Sequence, residues 1–210
     1  MLEIYEIFES VFGEGLNIGL PCTFIRFQGC NCSCLWCDSK YAQKQGTSKM
    51  MKEEDIIQEV EKYNNVWVTI TGGEPTLQDY GFLVERLRER YHMVQLETNG
   101  TTWPRKDFYI NRIAMSPKLP SAGFESTRKM KYQLIERLRR KDELKFVIAD
   151  ETDFEAAIWL LQQYKVRCAV IFQPQGGIDG EWIVEKIMKS NLSKLHTRVL
   201  PQLHKVFNVQ

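Results

Sequence analysis

The chain has 210 residues, 43% hydrophobic and 26% charged, enough for one domain over 1–210 with a substantial core. Its 28 Lys and Arg nearly balance 27 Asp and Glu, and a net charge of +1 excludes the broad basic footprint of a nucleic-acid binder. Charge-free stretches fall short of the about 20 apolar residues a membrane span needs, and the acidic opening carries no secretory signal, so a cytoplasmic setting is expected.

Residues 23–27 form the first predicted strand and lead straight into a loop holding Cys30, Cys32, Cys34 and Cys37. A helix is predicted over 51–63, with Ile56, Ile57 and Val60 on one face, then a strand over 66–71. A helix over 82–90 and a strand over 93–98 follow, the latter closed by the turn signal Asn99-Gly100. Residues 101–107 read as a loop, 112–115 as a short strand, and 121–131 as a second, basic loop. A strand over 144–149 precedes a capping-box pattern, Thr152 to Glu155, that opens a helix to about residue 164. A strand over 168–172, a helix over 181–188 and a short strand over 197–200 complete the chain. Alternating strands and helices imply a parallel sheet with right-handed crossovers. A full eightfold barrel takes about 250 residues, so the expected fold is α/β, an open partial (β/α)6-type barrel with abbreviated helices.

The cysteine loop admits three readings. A disulfide staple suits oxidising compartments and small coreless domains, and neither applies. Zinc sites usually pair two ligand pairs across a loop, and here His92, His196 and His204 are isolated, although four clustered thiolates can bind zinc alone. An iron–sulfur cluster is the third reading. Cys30, Cys34 and Cys37 are spaced C-x3-C-x2-C, and three thiolates on a four-iron cubane leave one iron open to an outside ligand. Cys22 and Cys168 sit in apolar strand-like runs and read as small buried hydrophobes.

In parallel α/β folds, ligands gather at the carboxyl ends of strands. The distinctive polar segments fall there: Gly72-Gly73-Glu74-Pro75, Glu97 to Gly100, Ser116-Pro117-Lys118 and Gln173-Pro174.

The C-x3-C-x2-C spacing, with Trp36 before the last cysteine and the glycine pair one strand later, resembles the radical S-adenosylmethionine superfamily. Within it, residues 8–15, Gly19-Leu20-Pro21, 24–30, Cys37-Asp38-Ser39, 71–75, 97–100, 116–118, 144–146, 173–174 and 202–205 resemble the 7-carboxy-7-deazaguanine synthase family. That resemblance implies a radical ring contraction of 6-carboxy-5,6,7,8-tetrahydropterin to 7-carboxy-7-deazaguanine with loss of ammonia, toward queuosine. It implies a [4Fe–4S] cluster on Cys30, Cys34 and Cys37, and S-adenosylmethionine against Trp36, Cys37, Asp38, Gly73, Ser116, Lys118 and Gln173. It places substrate against Val11, Phe12, Gly13, Arg26, Thr71 and, by position, Gln210. Magnesium falls to Ser39, where the family's usual threonine is replaced; serine keeps the oxygen ligand. Phe12 replaces the usual glutamine, so a contact there is by backbone or stacking. Arg26 suits a substrate carboxylate through bidentate hydrogen bonds, and a buried arginine needs such a ligand or an acidic partner such as Glu14. A homodimer and a flavodoxin- or ferredoxin-type electron donor are also implied. The alternatives are a glycyl-radical enzyme activase and a zinc-binding interaction module.

Overall fold

A computed structural model describes residues 1–43, 48–177, 179–194 and 196–210. In chain order the elements are β1 (Leu2–Val11), β2 (Pro21–Phe27), β3 (Lys49–Met51), α1 (Glu53–Glu61), β4 (Trp67–Gly72), α2 (Gly81–Glu89), β5 (Met93–Thr98), β6 (Arg112–Met115), α3 (Phe124–Thr127), β7 (Glu143–Ile148), α4 (Glu151–Gln163), β8 (Ala169–Pro174), α5 (Glu181–Met188), β9 (Thr197–Val199) and α6 (Leu203–Phe207), with short 3₁₀ turns between some of them.

The strands form one sheet in the order β3-β1-β2-β4-β5-β6-β7-β8-β9, so β3 and β9 are open edges and the barrel does not close. From β2 to β9 every pairing is parallel, as the strand–helix alternation predicts. Side-chain alternation splits the strands between two environments. Val68, Ile70, Val94, Leu96, Leu144 and Phe146 are fully buried in the main core, which they share with Ile56, Val60, Leu83 and Leu87 of the helices. Their neighbours Thr71, Glu97, Lys145 and Gln173 line a cavity on the other side.

Two strands and two short helices, α3 and α6, were not expected. β1 pairs antiparallel with β2 and with β3, covering the first edge of the parallel sheet. Its pairing slips between Ile4 and Glu6, so a bulge at Tyr5 breaks the period-two pattern that would reveal the strand. α3 lies inside the predicted basic loop 121–131. The cap of α4 is also corrected. Asp150, not Thr152, caps the helix, its side chain accepting from the Asp153 N–H.

Candidate active site

All residues singled out for iron, cofactor, substrate and magnesium border a single cavity at the carboxyl ends of the parallel strands: Cys30, Cys34, Cys37, Trp36, Asp38, Gly73, Ser116, Lys118, Gln173, Val11, Phe12, Gly13, Arg26, Thr71, Gln210 and Ser39. Cys32 borders it too.

The glycine pair is held against the cysteine loop by backbone bonds. Gly73 N–H donates to Phe27 C=O at 3.0 Å and Glu74 N–H to Gly29 C=O at 2.8 Å. Gly72 sits at φ 127°, and a Cβ at Gly73 would stand 2.0 Å from Gly29 O, so both positions require glycine. Glu74, fully buried, accepts from Thr76 N–H (3.0 Å), Thr98 Oγ1 (2.8 Å) and Asn99 N–H (2.6 Å), which locks the loop after β4 to the loop after β5. Asn99 in turn donates to Asn31 Oδ1 at 3.0 Å and to Cys32 Sγ at 3.4 Å.

All six cysteines are free thiols. The Cys32 backbone N–H points at Cys30 Sγ (3.4 Å), and hydrogen bonding from the Cys32 thiol brings Cys30 down to about 7. Among the described residues no three Cys, His, Asp or Glu side chains converge as one metal ion requires. A cubane spreads its ligands over separate irons, and three free thiolates on one loop suit it.

Trp36 is held from behind. Its indole N–H donates to Ser121 Oγ at 2.8 Å, and Ser121 is pinned by the buried Asp153 carboxylate through its hydroxyl (2.5 Å) and its N–H (2.9 Å). On the cavity side, Lys118 Nζ lies 5.6 Å from the Trp36 ring centroid. Gln173 donates to Glu14 Oε1 at 2.8 Å, while its buried Oε1 has no partner among the described residues, leaving an acceptor for a ligand.

Deeper in the cavity lies a charged cluster. Lys145 pairs with Glu14 and with Glu97 Oε2 (3.3 Å), and Gln202 also donates to Glu14, at 2.5 Å. Burial would raise the Glu14 carboxyl, but Lys145 and the amide donors outweigh it and hold it at about 2. Burial likewise opposes the Lys145 charge, and Glu14 and Glu97 overcome it, keeping the ammonium firmly protonated. Glu143 stands two residues before Lys145 on β7. Burial first, then the Glu97 charge, push its carboxyl up to about 7. Its Oε2 accepts from Leu16 N–H at 2.7 Å, and its Oε1 has no partner among the described residues.

The expected pairing of Arg26 with Glu14 is corrected. Glu14 is taken by Lys145, and Arg26 Nε donates to Glu6 Oε1 at 2.7 Å because the β1–β2 register sets Glu6 directly opposite. The guanidinium also reaches Ser39 Oγ at 3.3 Å and stacks near Phe8 and Tyr41, at 5.4 and 5.6 Å from their centroids. Ser39 Oγ donates to Asp38 Oδ1 at 2.8 Å, so two oxygens stand together where magnesium is expected. Phe12 is buried, edge-on to Trp67 and tilted against Phe24, and both its backbone groups bond to the 19–20 turn, so of the two expected kinds of contact only packing of the ring is left open. The chain's last segment borders the cavity at Gln202, His204, Lys205 and Gln210. Leu203 N–H donates to Gly13 C=O at 2.8 Å, and Gln210 donates to Glu6 Oε2 at 2.8 Å.

The Radical SAM superfamily model matches residues 24–149. A 7-carboxy-7-deazaguanine synthase of Thermoplasma acidophilum is 37% identical over 204 residues, covering 97% of this chain and 95% of its own. One of Aquifex aeolicus is 33% identical over 221 residues, covering 100% and 95%. The chain belongs to the 7-carboxy-7-deazaguanine synthase family. The crystal structure of QueE from Escherichia coli superposes with a TM-score of 0.75 at 23% identity, over 95% and 94% of the two chains, and supports the shared open fold.

As a radical S-adenosylmethionine enzyme, the chain uses a [4Fe–4S] cluster and S-adenosylmethionine. The free thiols of Cys30, Cys34 and Cys37 and the open acceptor of Gln173 fit those groups. Sequence reasoning named Glu74 only as part of a strand-end motif and missed three pairings around this site: Glu6 behind Arg26, Lys145 with Glu14, and the Ser121–Asp153 brace. Only the strand-end rule pointed toward any of them, since each pairing joins distant segments.

Proposed function

We propose that the chain carries out the ring contraction of 6-carboxy-5,6,7,8-tetrahydropterin to 7-carboxy-7-deazaguanine with loss of ammonia, in queuosine biosynthesis. The observation that carries this reading is that every residue assigned to cluster, cofactor, substrate or magnesium borders one cavity, the Arg26 guanidinium among them. When bound, the reduced cluster and S-adenosylmethionine would supply a 5′-deoxyadenosyl radical able to take a hydrogen atom from the substrate and return it to the rearranged product radical.

The chain's own residues do the rest. Cys30, Cys34 and Cys37 hold the cluster. Trp36, Asp38, Gly73, Ser116, Lys118 and Gln173 hold the cofactor, with Trp36 fixed in orientation by Ser121. Arg26 orients the substrate carboxylate, with Ser39 and magnesium beside it. Val11, Phe12, Gly13, Thr71 and Gln210 shape the substrate side. The Glu14–Lys145–Glu97 cluster presents fixed charge to the polar pterin in a site that the 202–210 segment also lines. A cytoplasmic homodimer served by a flavodoxin- or ferredoxin-type donor belongs to this proposal. Among the described residues no helix is long and apolar enough to cross a membrane.

The test is anaerobic incubation of the reconstituted enzyme with reductant, S-adenosylmethionine and the carboxytetrahydropterin. The deazaguanine product is expected from the unaltered chain and from Cys32→Ala, and none from Cys34→Ala. A colourless protein carrying one zinc, or no product, would overturn the reading.

A further inference from the structure

Side chains alternate along a strand, so Glu6, Phe8 and Ser10 share one face of β1, and the register sets Glu6 and Phe8 opposite Arg26 and Phe24 of β2. Phe8, Phe24 and Arg26 border the cavity, whereas Glu6 and Ser10 stand outside it. The Arg26 guanidinium is gripped on several sides. Glu6 Oε1 takes its Nε, the Phe8 and Tyr41 rings lie against it, and Nη1 reaches Ser39 Oγ. Nη2 makes no hydrogen bond among the described residues, so the Nη edge is what an incoming carboxylate can use. Glu14 and Glu97 are taken by Lys145, which leaves Glu6 as the acid paired with Arg26 among the described residues. The pair is shielded, its arginine and glutamate side chains 12% and 25% exposed.

Glu6 has a second hold. Its Oε2 accepts from Gln210 Nε2 at 2.8 Å, and Ser10 Oγ donates to the Gln210 backbone oxygen at 2.6 Å. One carboxylate thus grips both the arginine and the 203–210 segment, whose His204, Lys205 and Gln210 border the same cavity. We propose that Glu6 is a positioning residue that fits the site to a carboxylated pterin: it aims the Arg26 Nη edge at the carboxylate and ties that aim to the 203–210 segment. A guanidinium fixed before the substrate arrives does not have to be ordered on binding, so more of the contact energy appears as affinity. A pterin without the carboxylate gains nothing from that edge, and the two ligands are told apart by the difference. A contact shared by two partners also couples them in both directions, so occupancy of Arg26 and order in the segment support each other. The inference rests on the function proposed above.

The test compares two ligands on the reconstituted enzyme, 6-carboxy-5,6,7,8-tetrahydropterin and the tetrahydropterin without its carboxylate. In turnover, Glu6→Ala should raise the KM of the carboxylated pterin at least about fivefold, the equivalent of one lost polar contact, with kcat within about twofold. By titration calorimetry without reductant, its Kd should weaken in parallel, while the Kd of the pterin lacking the carboxylate stays the same. Amide hydrogen exchange over 203–210 should quicken in Glu6→Ala, and the carboxylated pterin should slow it more in the unaltered chain than in the variant. Glu6→Gln keeps the length and one acceptor oxygen and should fall between; it carries the test if the alanine variant is unstable. Glu9→Ala, at an exposed position on the other face of β1, should change none of these readouts. Equal weakening of both pterins would make Glu6 a residue of the fold alone. An unchanged KM would overturn the aiming of Arg26, and unchanged exchange over 203–210 would overturn the tie to the segment. If the unaltered enzyme made no product, the function proposed above would fall instead, while the two Kd values and the exchange rates would still decide the role of Glu6.

Discussion

At the scale of single residues, the site depends on side chains that never touch a ligand. Ser121 connects the Trp36 indole to the buried Asp153 carboxylate. Ser121→Ala removes that link, and a neutral hydrogen bond of about 1 kcal/mol corresponds to roughly a fivefold loss. S-adenosylmethionine should bind the reconstituted variant about fivefold more weakly by titration calorimetry, with thermal stability nearly unchanged; an unaltered affinity would mean that Trp36 is positioned by packing alone. Glu143 makes the second residue-scale prediction. Its carboxyl is raised to about 7 by burial and by Glu97, against an ordinary value of 4.5. The sign follows: the folded state favours its protonated form, so its contribution is fully present below pH 4.5 and is lost as pH rises through 7. Glu143→Gln cannot ionise. Its unfolding free energy relative to the unaltered chain should therefore climb between pH 5 and pH 8, by at most about 3 kcal/mol. A gap that stays constant in denaturant titrations across that range would show that Glu143 is already charged.

At the scale of elements, the parallel strands and long helices were legible because their patterns are local. The runs 66–71, 93–98 and 112–115 are apolar and bounded by polar turns, and each became a strand within a residue or two. β1 was not legible, because the bulge at Tyr5 shifts its buried face partway along. That one omission also hid Glu6, and with it the true partner of Arg26. The site residues themselves were legible through motifs at strand ends, whereas their pairings were not. Glu14 and Lys145 are 131 positions apart, and no spacing rule joins them. The 203–210 segment shows the consequence. It brings His204, Lys205 and Gln210 to the cavity and is tied down at Gly13. Truncation after Gln202 should raise the KM for the carboxytetrahydropterin at least about tenfold, the equivalent of one or two lost polar contacts. Cleavage of S-adenosylmethionine without product should persist, because the cofactor residues lie on other elements. Equal losses of both activities would place the segment in the fold and not in the substrate site.

For the whole molecule, the decisive fact is that two hydrophobic clusters are separate. The main core runs from Leu2 to Leu192 between sheet and helices, and the cysteine loop packs in a satellite of Cys32, Cys34 and Ala122 with Met130 and Trp36 at its margin. Small metal-dependent domains lack the first kind of core and unfold when their metal leaves. This chain has it, so its fold is expected to hold without iron. Removing the cluster should leave cooperative thermal unfolding and the circular dichroism of a mixed α/β protein intact. The change should be local opening, since stability is not uniform across a structure and the segment losing its ligand also has the smaller cluster. Faster backbone hydrogen exchange is expected in residues 30–39 and in the 121–130 segment bonded to it through Leu35, Ser33 and Lys129, with β4, β5 and β7 unaffected. If iron-free protein instead lost its cooperative transition, the satellite would have to be part of the folding core, and the cysteine loop would be a structural metal site in its own right.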